Sequence, residues 1–257
     1  MNPPRPFRDR FRAGELLLGT FLKTPSPHAT EILGDLGYDF VVIDAEHAPF
    51  DRGSTDIVLL AARAAGIAAL VRVPDATPSH LLAALDDGAD GVLVPHIASV
   101  AAARGIVSAS RYRGGSRGFS NSPRAGGYGG TPIEEHVAAA DARTTVIAMI
   151  EDPEAVEEVD ALCSVAGLDG FFIGRGDLTV ALQAPSVDAP AVREAVERIA
   201  EAARTHGKPL CAHVSRFDSV EAAWLKSLGV SAFVIASDQG LMRRAAAESL
   251  AAFRSLR

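Results

Sequence analysis

The chain has 257 residues, of which 48% are hydrophobic and 22% charged, and its formal net charge is −7 at pH 7. A chain of this size can bury one large core, and α/β barrels of about 250 residues commonly form a single domain. The acidic balance and the lack of a lysine- or arginine-rich run argue against a nucleic-acid partner, because phosphate contacts need a basic face.

Apolar runs of strand length recur along the chain, and amphipathic stretches that mostly end in glycine, the usual residue after a helix, lie between them. Because the runs are continuous rather than alternating, they indicate strands buried on both faces of a parallel sheet. Eight strand–helix units predict one (β/α)8 TIM barrel over residues 1–257. A doubly wound sheet is the alternative, but no strand opens into a glycine-rich nucleotide-binding motif. The predicted strands span 16–23, 40–46, 68–74, 91–97, 144–151, 170–177, 209–214 and 232–238.

The segment RYRGGSRGFSNSPRAGGYGG, residues 111–130, interrupts this rhythm between the fourth helix and the fifth strand. It is rich in glycine and arginine, a composition that predicts a loop without a regular element. Loops of this length inside a compact domain are usually functional or disordered. Two interpretations stay open: a lid or subunit-contact loop over the site, and a mobile surface excursion.

The remaining composition favours a cytoplasmic protein that does not enter a membrane. No apolar run approaches the roughly 18 residues of a membrane span, and the charged residues 1–15 are not followed by the apolar stretch of a secretory signal. Cys163 and Cys211 lie among apolar residues. They are expected to pack as small hydrophobic side chains rather than to form a disulfide framework or a zinc cluster.

Ionisable side chains follow almost every predicted strand. In a barrel of this kind, the chemistry lies at the carboxyl ends of the strands, so these side chains are expected to converge on one rim. The apolar residues of the second strand, FVVI, are thus followed at once by DAEH, whose three ionisable side chains lie at the rim where the chemistry is expected. The strand-end residues are Asp44, Glu46, His47, Arg72, His96, Glu151, Arg175, Asp177, His213 and Asp238.

Glu151 and Asp177 end neighbouring strands and can face each other. Two close carboxylates repel unless a proton or a cation lies between them, and with water they form a typical site for Mg²⁺ or Mn²⁺. Helix capping is the alternative role for each. For the fifth strand, that role falls to Asp152, which precedes a proline, whereas Asp177 could itself cap the helix that follows it.

Arg72 and His47 each admit two interpretations. Arg72 either forms a structural salt bridge across the barrel mouth or binds a substrate carboxylate with its planar guanidinium. His47 either supports a helix start or transfers protons, with Asp44 three residues earlier fixing its tautomer.

The motifs IDAEHAP, LVRVP, LLAALDDGADGVLVP, RYRGGSRGF, MIEDPEAVEEVD and FIGRGDL follow one another in this chain. In this order they resemble the HpcH/HpaI aldolase family of metal-dependent class II pyruvate aldolases, from about residue 10 to 255. The resemblance implies a (β/α)8 barrel and a carbon–carbon lyase. Such an enzyme reversibly cleaves 4-hydroxy-2-oxo acids to pyruvate, or a related 2-oxo acid, and an aldehyde through a metal-stabilised enolate.

The resemblance also implies roles for individual residues. Glu151 and Asp177 would hold a divalent metal, Mg²⁺, Mn²⁺ or Co²⁺. Arg72 would bind the carboxylate of pyruvate, and Gly174 and Arg175, in the GRGD motif, are expected to line the substrate site.

Further implied roles concern proton transfer and assembly. His47 and Asp44 would form an acid–base pair, and Asp86 would reach the site of a neighbouring subunit. Members of the family commonly form hexamers, built as trimers of dimers, in which the last helix is exchanged between partners. Here that helix would span residues 240–256.

Two departures from the family pattern affect the substrate. Met149 replaces a glutamine that many pyruvate aldolases carry, and Arg175 stands where proline is common. The alternative function is therefore a citrate- or malate-type synthase or lyase that uses a CoA thioester. In that case, Arg175 and the arginines of residues 111–124 would meet a polyacid or CoA phosphates. Schiff-base chemistry is disfavoured, because Lys23 is the only lysine near a strand end.

Overall fold

The computed structural model describes residues 5–256 and shows a closed barrel of eight parallel strands in sequential order. The predicted (β/α)8 barrel is confirmed, and each predicted strand is present within a few residues of its expected bounds. The strands are β1 (Leu17–Leu22), β2 (Phe40–Asp44), β3 (Ala68–Arg72), β4 (Gly91–Val94), β5 (Thr145–Ile150), β6 (Gly170–Ile173), β7 (Leu210–Val214) and β8 (Val230–Ser237).

Helices surround the barrel, and none of those described is both long and apolar enough to cross a membrane. A 3₁₀ helix, Arg124–Gly129, lies within the segment 111–130, where the composition predicted no regular element, so that expectation is wrong for these six residues. The helices are α1 (Phe7–Arg12), α2 (Pro27–Asp35), α3 (Arg52–Ala65), α4 (Pro78–Asp86), α5 (Val100–Ser110), α6 (Ile133–Arg143), α7 (Pro153–Glu157), α8 (Val159–Cys163), α9 (Arg175–Ala181), α10 (Pro190–Thr205), α11 (Val220–Ser227) and α12 (Asp238–Arg254).

The apolar residues divide into two clusters, one inside the barrel and one between the strands and the helices. The continuous apolar runs follow from this arrangement, because side chains that alternate along a strand are buried on both faces. α1 was not predicted, and it closes the end of the barrel where the strands begin. Its Phe7 and Phe11 belong to the inner cluster. The ring of Phe40 packs there over Gly19, where a Cβ would lie 2.5 Å from the ring.

The buried carboxylate of Asp169 joins three parts of the chain at that end. It accepts a hydrogen bond of 2.8 Å from Arg8 of α1, one of 3.2 Å from Arg111 and one of 2.9 Å from the backbone N–H of Val146 in β5. Arg111 also donates to the carbonyl of Thr144 at 2.7 Å. A buried charge is tolerated only with such partners.

The glycine- and arginine-rich segment 111–130 packs against the outside of its own barrel rather than over the site. Arg117 is buried and bonds to Asp86 at the end of α4 at 2.8 Å, and Arg124 bonds to Asp56 of α3 and the carbonyl of Asp87. None of its described contacts involves a strand-end residue. The interpretation as a lid over its own site is therefore wrong, and a contact of this segment with another subunit stays a prediction. The segment follows α5, which runs back from the carboxyl ends of the strands, so it starts near the opposite end.

A test of the Asp169 junction is its replacement by asparagine, which keeps the shape but leaves Arg8 and Arg111 without their carboxylate. We expect Asp169→Asn to lower the free energy of unfolding by about 2–4 kcal/mol. Urea unfolding measures the change. The matched control is Asp188→Asn, because Asp188 is exposed and 4.0 Å from Arg193. That control should shift the free energy by less than about 1 kcal/mol. Equal stability of wild type and Asp169→Asn would show that the junction contributes nothing.

Candidate active site

The predicted strand-end residues meet at one rim of the barrel. A cavity of about 500 Å³ opens there, lined by residues from the ends of β1, β3, β6, β7 and β8. Its walls include Phe21, Arg72, Asp177, His213 and Ser237. Closure of the sheet brings these residues together although they are far apart in sequence.

Asp44 and Arg72 form a buried ion pair where β2 and β3 end in register. Nε of Arg72 donates to Oδ1 at 3.0 Å and Nη2 donates to Oδ2 at 2.7 Å, while Nζ of Lys23 lies 3.2 Å from Oδ2. Burial alone would raise the pKa of the Asp44 carboxyl. The bonds and charge of Arg72, with smaller contributions from His47 and Lys23, hold it below its usual value.

Arg72 has two further neighbours. Its Nη1 lies 3.3 Å from Oε2 of Glu46, and its guanidinium carbon lies 4.7 Å from the centre of the Phe21 ring. The predicted salt bridge is therefore present, with Asp44 as its partner. Because Arg72 also lines the cavity, the salt bridge leaves the carboxylate-binding interpretation open.

The structure assigns Asp44 a different contact with His47 from the one predicted. Oδ1 of Asp44 accepts a hydrogen bond from the backbone N–H of His47 at 3.0 Å, and the ring is not involved. The reason is that Arg72 and Lys23 already surround the carboxylate. The half-exposed ring of His47 instead has Nε2 3.6 Å from Oε2 of Glu46. In this structure, Asp44 orients the turn that carries His47 and does not fix the tautomer of its ring.

Glu151 is almost fully buried after β5, and its Oε1 accepts a hydrogen bond of 2.9 Å from the backbone N–H of His96. Burial raises the pKa of Glu151 to about 7, against the opposing effect of His96, and the negative charges of Asp177 and Glu46 raise it further. The imidazole of His96 lies with Nδ1 3.6 Å from Oε1 of Glu151 and 3.2 Å from Oδ1 of Asp152, and it offsets the charge of Glu151 only in part. His96 adopts a positive φ of 54°, an uncommon conformation for a residue other than glycine.

Asp177 lies in the first turn of α9 and is exposed. The position before this helix is Gly174, so the interpretation of Asp177 as the helix cap is wrong. Gly174 has a different function, because a Cβ at this position would lie 2.5 Å from Cβ of Glu151 and 2.6 Å from its Oε2. Only glycine allows β6 to pass so close to Glu151.

The pair formed by Glu151 and Asp177 suits a divalent cation that takes two protein ligands and completes its shell with water or substrate. Across residues 5–256, the Asp177 carboxylate has no hydrogen-bond or ion-pair partner, and Oε2 of Glu151 accepts no hydrogen bond. Within the same range, no cluster of three or more histidine, cysteine, aspartate or glutamate side chains could hold a metal. Glu151 and Asp177 are thus candidate oxygen donors for the predicted metal.

Arg175 does not project from the rim as a free cation. It is buried in the cavity wall, where Nη2 donates to Glu221 of α11 and, at 3.2 Å, to the carbonyl of His213. Nη1 has no acceptor among the described residues. Sequence reasoning missed Glu221, because an acid 46 residues away on a helix gives no local signal of this pairing.

Asp86 lies at the end of α4, where its carboxylate is held by Arg117, and the structure does not bring it to the rim of its own chain. Its contact with the site of a neighbouring subunit stays a prediction.

Comparison with known proteins agrees with this geometry. Residues 17–236 match the family model described as HpcH/HpaI aldolase/citrate lyase, from the start of β1 almost to the end of β8. The chain belongs to the HpcH/HpaI aldolase/citrate lyase family. The resemblance inferred from the motifs is thereby confirmed.

Individual relatives cover almost the whole chain. A 5-keto-4-deoxy-D-glucarate aldolase from Enterobacter sp. (strain 638) is 33% identical over 246 residues, which are 94% of each chain. A solved HpcH/HpaI aldolase/citrate lyase family protein from Burkholderia cenocepacia J2315 is 29% identical with a TM-score of 0.90, over 96% of this chain and 98% of that one. The citrate synthase SbnG is 32% identical with a TM-score of 0.87, over 97% and 98% of the two chains. The predicted class II aldolase is confirmed, and the enzyme is a lyase.

The raised pKa of Glu151 predicts a stability difference that depends on pH. The metal-free folded protein holds this proton more tightly than the unfolded chain, since the pKa rises from 4.5 to about 7. Ionisation of Glu151 therefore destabilises the fold as the pH rises through this range, and Glu151→Gln escapes the cost. In EDTA at pH 8, we expect Glu151→Gln to be more stable than wild type by roughly 2–3 kcal/mol. At pH 4.5 this advantage should disappear.

Urea unfolding of both proteins at the two pH values measures this difference. Glu157→Gln, which changes an exposed acid, is the matched control and should behave as wild type does. Excess Mn²⁺ at pH 8 should stabilise wild type and not Glu151→Gln. A stability difference that does not change with pH would contradict the prediction.

Proposed function

We propose that the enzyme reversibly cleaves 4-hydroxy-2-oxo acids of the 3-deoxy sugar-acid type to a 2-oxo acid, such as pyruvate, and an aldehyde. The observation that carries the proposal is the pairing of two carboxylates that have no arginine or lysine partner among the described residues, Glu151 and Asp177, with a buried arginine in one cavity. Arg72 and Asp177 both line that cavity, and Gly174 brings its wall against Glu151. The sugar-acid aldolase relatives support this class of substrate.

Glu151 and Asp177 would hold the divalent metal, Mg²⁺, Mn²⁺ or Co²⁺, which supplies Lewis-acid stabilisation of the charge that develops on the 2-oxo group. Both side chains are oxygen donors, which these hard cations favour. Gly174 leaves room for the Glu151 carboxylate, and the His96 N–H holds its Oε1.

Arg72 binds the carboxylate of the 2-oxo acid in this proposal. A guanidinium has five N–H donors, of which two are used by Asp44, while Glu46 lies near the nitrogen Nη1. The donors that remain face a cavity from which water is partly excluded. A charge-assisted bond is stronger there than in bulk water.

His47 transfers the proton in the cleavage step. A base must accept the proton of the C4 hydroxyl as the C3–C4 bond breaks, and a proton must reach C3 to complete the released 2-oxo acid. The ring of His47 is half-exposed, and its Nε2 lies 3.6 Å from Oε2 of Glu46. Asp44 acts as a positioning residue through the backbone of His47.

The contacts of Lys23 disfavour a Schiff base. Its amine lies 3.2 Å from the buried Asp44 carboxylate and is engaged in that ion pair, whereas a Schiff base needs a free amine that can attack the carbonyl carbon.

The CoA-thioester alternative finds no support in the arginines that suggested it. Arg175 is buried against Glu221, and the described contacts of segment 111–130 lie away from the rim of its own chain. The similarity to the citrate synthase SbnG remains the argument in its favour. A release of free thiol from acetyl-CoA with oxaloacetate would establish it.

Assembly and location belong to the same proposal. In the isolated chain α12 buries no residue, and it exposes apolar side chains that include Met242 and Leu250. A partner chain that covers this helix, as in the hexamer implied by the family, accounts for those side chains. A reducing cytoplasm suits Cys163 and Cys211, which are buried free thiols.

The function is tested by incubating the enzyme with Mn²⁺, pyruvate or hydroxypyruvate, and a panel of aldehydes, with products read by mass spectrometry. We expect 4-hydroxy-2-oxo acid products that disappear in EDTA and return with metal, because the carboxylate pair needs its cation. Asp177→Ala should abolish this turnover without unfolding the barrel. Turnover that survives EDTA but is inactivated by borohydride with pyruvate would contradict the metal mechanism.

The role of Arg72 is tested with Arg72→Lys, which keeps the charge and loses the planar fork. We expect oxalate, a carboxylate analogue of the enolate, to bind roughly 10–100-fold more weakly to metal-loaded Arg72→Lys. The affinity for Mn²⁺ alone should change little. Titration calorimetry measures both. Arg204→Lys is the matched control, because Arg204 forms an exposed pair within α10. Equal oxalate affinity in wild type and Arg72→Lys would make Arg72 only a structural partner of Asp44.

A further inference from the structure

A second cavity, with a volume of about 530 Å³, lies at the end of the barrel where the strands begin, opposite the proposed active site. Its walls come from α1, the end of α3, the start of β3, segment 111–130 and the end of α6. Ligand-binding pockets commonly have volumes of about 300–1,000 Å³. The proposed function uses none of these residues, so the charge of the walls must indicate what the cavity binds.

Arginine dominates the charged side chains of this cavity. Five arginines line it against two acids, Asp39 and Asp90, although the whole chain carries a net charge of −7. Two acids next to the lining, Glu15 and Asp56, offset part of the positive charge. Guanidinium groups gathered in one concave region of an acidic protein indicate an anion-binding site. The five are Arg5, Arg10, Arg63, Arg124 and Arg143.

The two acids of the lining are bonded to the barrel itself. Oδ2 of Asp39 accepts a hydrogen bond from the backbone N–H of Leu18 at 2.8 Å, and Oδ2 of Asp90 accepts one from that of Ala69 at 2.9 Å. The other oxygen of each acid faces an arginine. Oδ1 of Asp39 accepts from Arg10 at 2.7 Å, and Oδ1 of Asp90 lies 3.3 Å from Nε of Arg143. The acids therefore orient these arginines and occupy only part of their donors.

Three of the arginines are held in place and still have a free nitrogen. In Arg10, Arg124 and Arg143, Nε and Nη2 face acids or backbone carbonyls of the surrounding elements. Within residues 5–256, the remaining nitrogen, Nη1, forms no hydrogen bond in any of the three. A guanidinium that its own partners already orient loses little conformational entropy when it binds a ligand.

Arg63 differs from its four neighbours because nothing in the described part of the chain pairs with it. It lies exposed in the last turn of α3 and makes no hydrogen bond, ion pair or ring contact with residues 5–256. All five of its N–H donors are therefore available. Four acids face the other four arginines, so the charge of Arg63 is left for a ligand to neutralise.

The arrangement of the arginines favours a phosphate group over a carboxylate. They approach the cavity from different elements, and a phosphate has three strong acceptor oxygens in a tetrahedral arrangement, so it can bond to donors on several sides. A carboxylate accepts its hydrogen bonds mostly in one plane. Part of the wall is apolar and includes Leu59, Ala62 and Ile67. The cavity thus has room and an apolar surface for an organic group attached to the phosphate.

We propose that this cavity binds a small organic phosphate. Arg63 and the free Nη1 nitrogens of its neighbours bond to the phosphate group, and the organic part packs against the apolar wall. The site is at the opposite end of the barrel from Arg72, so its ligand does not compete with the substrate. The inference does not depend on the proposed function.

Titration calorimetry of the Mg²⁺-loaded enzyme at low ionic strength tests this site. Glucose 6-phosphate and inorganic phosphate are the probes, and succinate is the carboxylate comparison. Arg63→Gln removes the charge, whereas Arg63→Lys keeps the charge and loses the planar fork. The matched control is Arg104→Gln, because Arg104 is an exposed arginine of α5 that also has no partner among the described residues. Arg143→Gln changes a different wall, and thermal unfolding verifies that every variant is folded.

We expect both phosphates to bind saturably and more tightly than succinate. Arg63→Gln should weaken the binding of glucose 6-phosphate by roughly 10-fold, because a charge-assisted bond is lost, and Arg63→Lys should weaken it less. Arg143→Gln should have an effect similar to that of Arg63→Gln. Arg104→Gln and Arg72→Lys should leave the affinity unchanged, since neither residue lines this cavity.

Four outcomes would overturn the inference. The first is no saturable binding of either phosphate. The second is succinate binding as tight as that of phosphate, which would make the cavity a carboxylate site. The third is a loss of phosphate affinity in Arg72→Lys but not in Arg63→Gln or Arg143→Gln, which would put the phosphate at the catalytic rim. The fourth is a changed oligomeric state of Arg63→Gln in ultracentrifugation with unchanged phosphate affinity, which would assign the arginines to a subunit contact.

Discussion

The ion pair between Asp44 and Arg72 is the constraint on which the rim of this barrel depends. A guanidinium at the end of a buried strand needs a carboxylate partner, and the register of β2 with β3 supplies one directly opposite. The same carboxylate receives the backbone N–H of His47 and the amine of Lys23. One buried acid thus fixes an arginine, a turn and a lysine on three strands or their ends, which is why its own proton is lost so readily.

The two halves of the rim differ in how their charges are satisfied. On the β2–β3 side, Asp44 and Arg72 neutralise each other within the chain. On the β5–β6 side, Glu151 and Asp177 repel, and no arginine or lysine of the described chain bonds to either of them. Charge repulsion is therefore concentrated on the β5–β6 side, where a bound cation would relieve it. It is absent on the β2–β3 side, where it would only destabilise the fold. Arg72 is a fixed cation on one side, and the Glu151–Asp177 pair needs a cation on the other. Together these groups suit an anionic molecule that can chelate a metal.

The parts of this site that sequence could predict are those governed by local periodicity. Continuous apolar runs identified eight strands, and in a barrel the strand ends alone place Arg72, Glu151 and Asp177 on one rim. The predictions that proved wrong concern side chains whose partners are distant in sequence. The Arg175–Glu221 pair joins a strand end to a helix, and Asp44 bonds to Arg72 rather than to the His47 ring because register, not proximity in sequence, decides its partner. The lid interpretation of segment 111–130 was wrong because glycine- and arginine-rich composition predicts a loop but not which surface the loop packs against.

The close approach of Gly174 to Glu151 limits how this active site can change over evolutionary time. A side chain at position 174 would collide with the Glu151 carboxylate, whereas a side chain at Gly176, two residues later, would meet nothing within 4 Å. The same short turn therefore contains one position closed to variation and one open to it. Divergence in substrate preference, whether natural or by directed evolution, can therefore draw on position 176 without displacing Glu151.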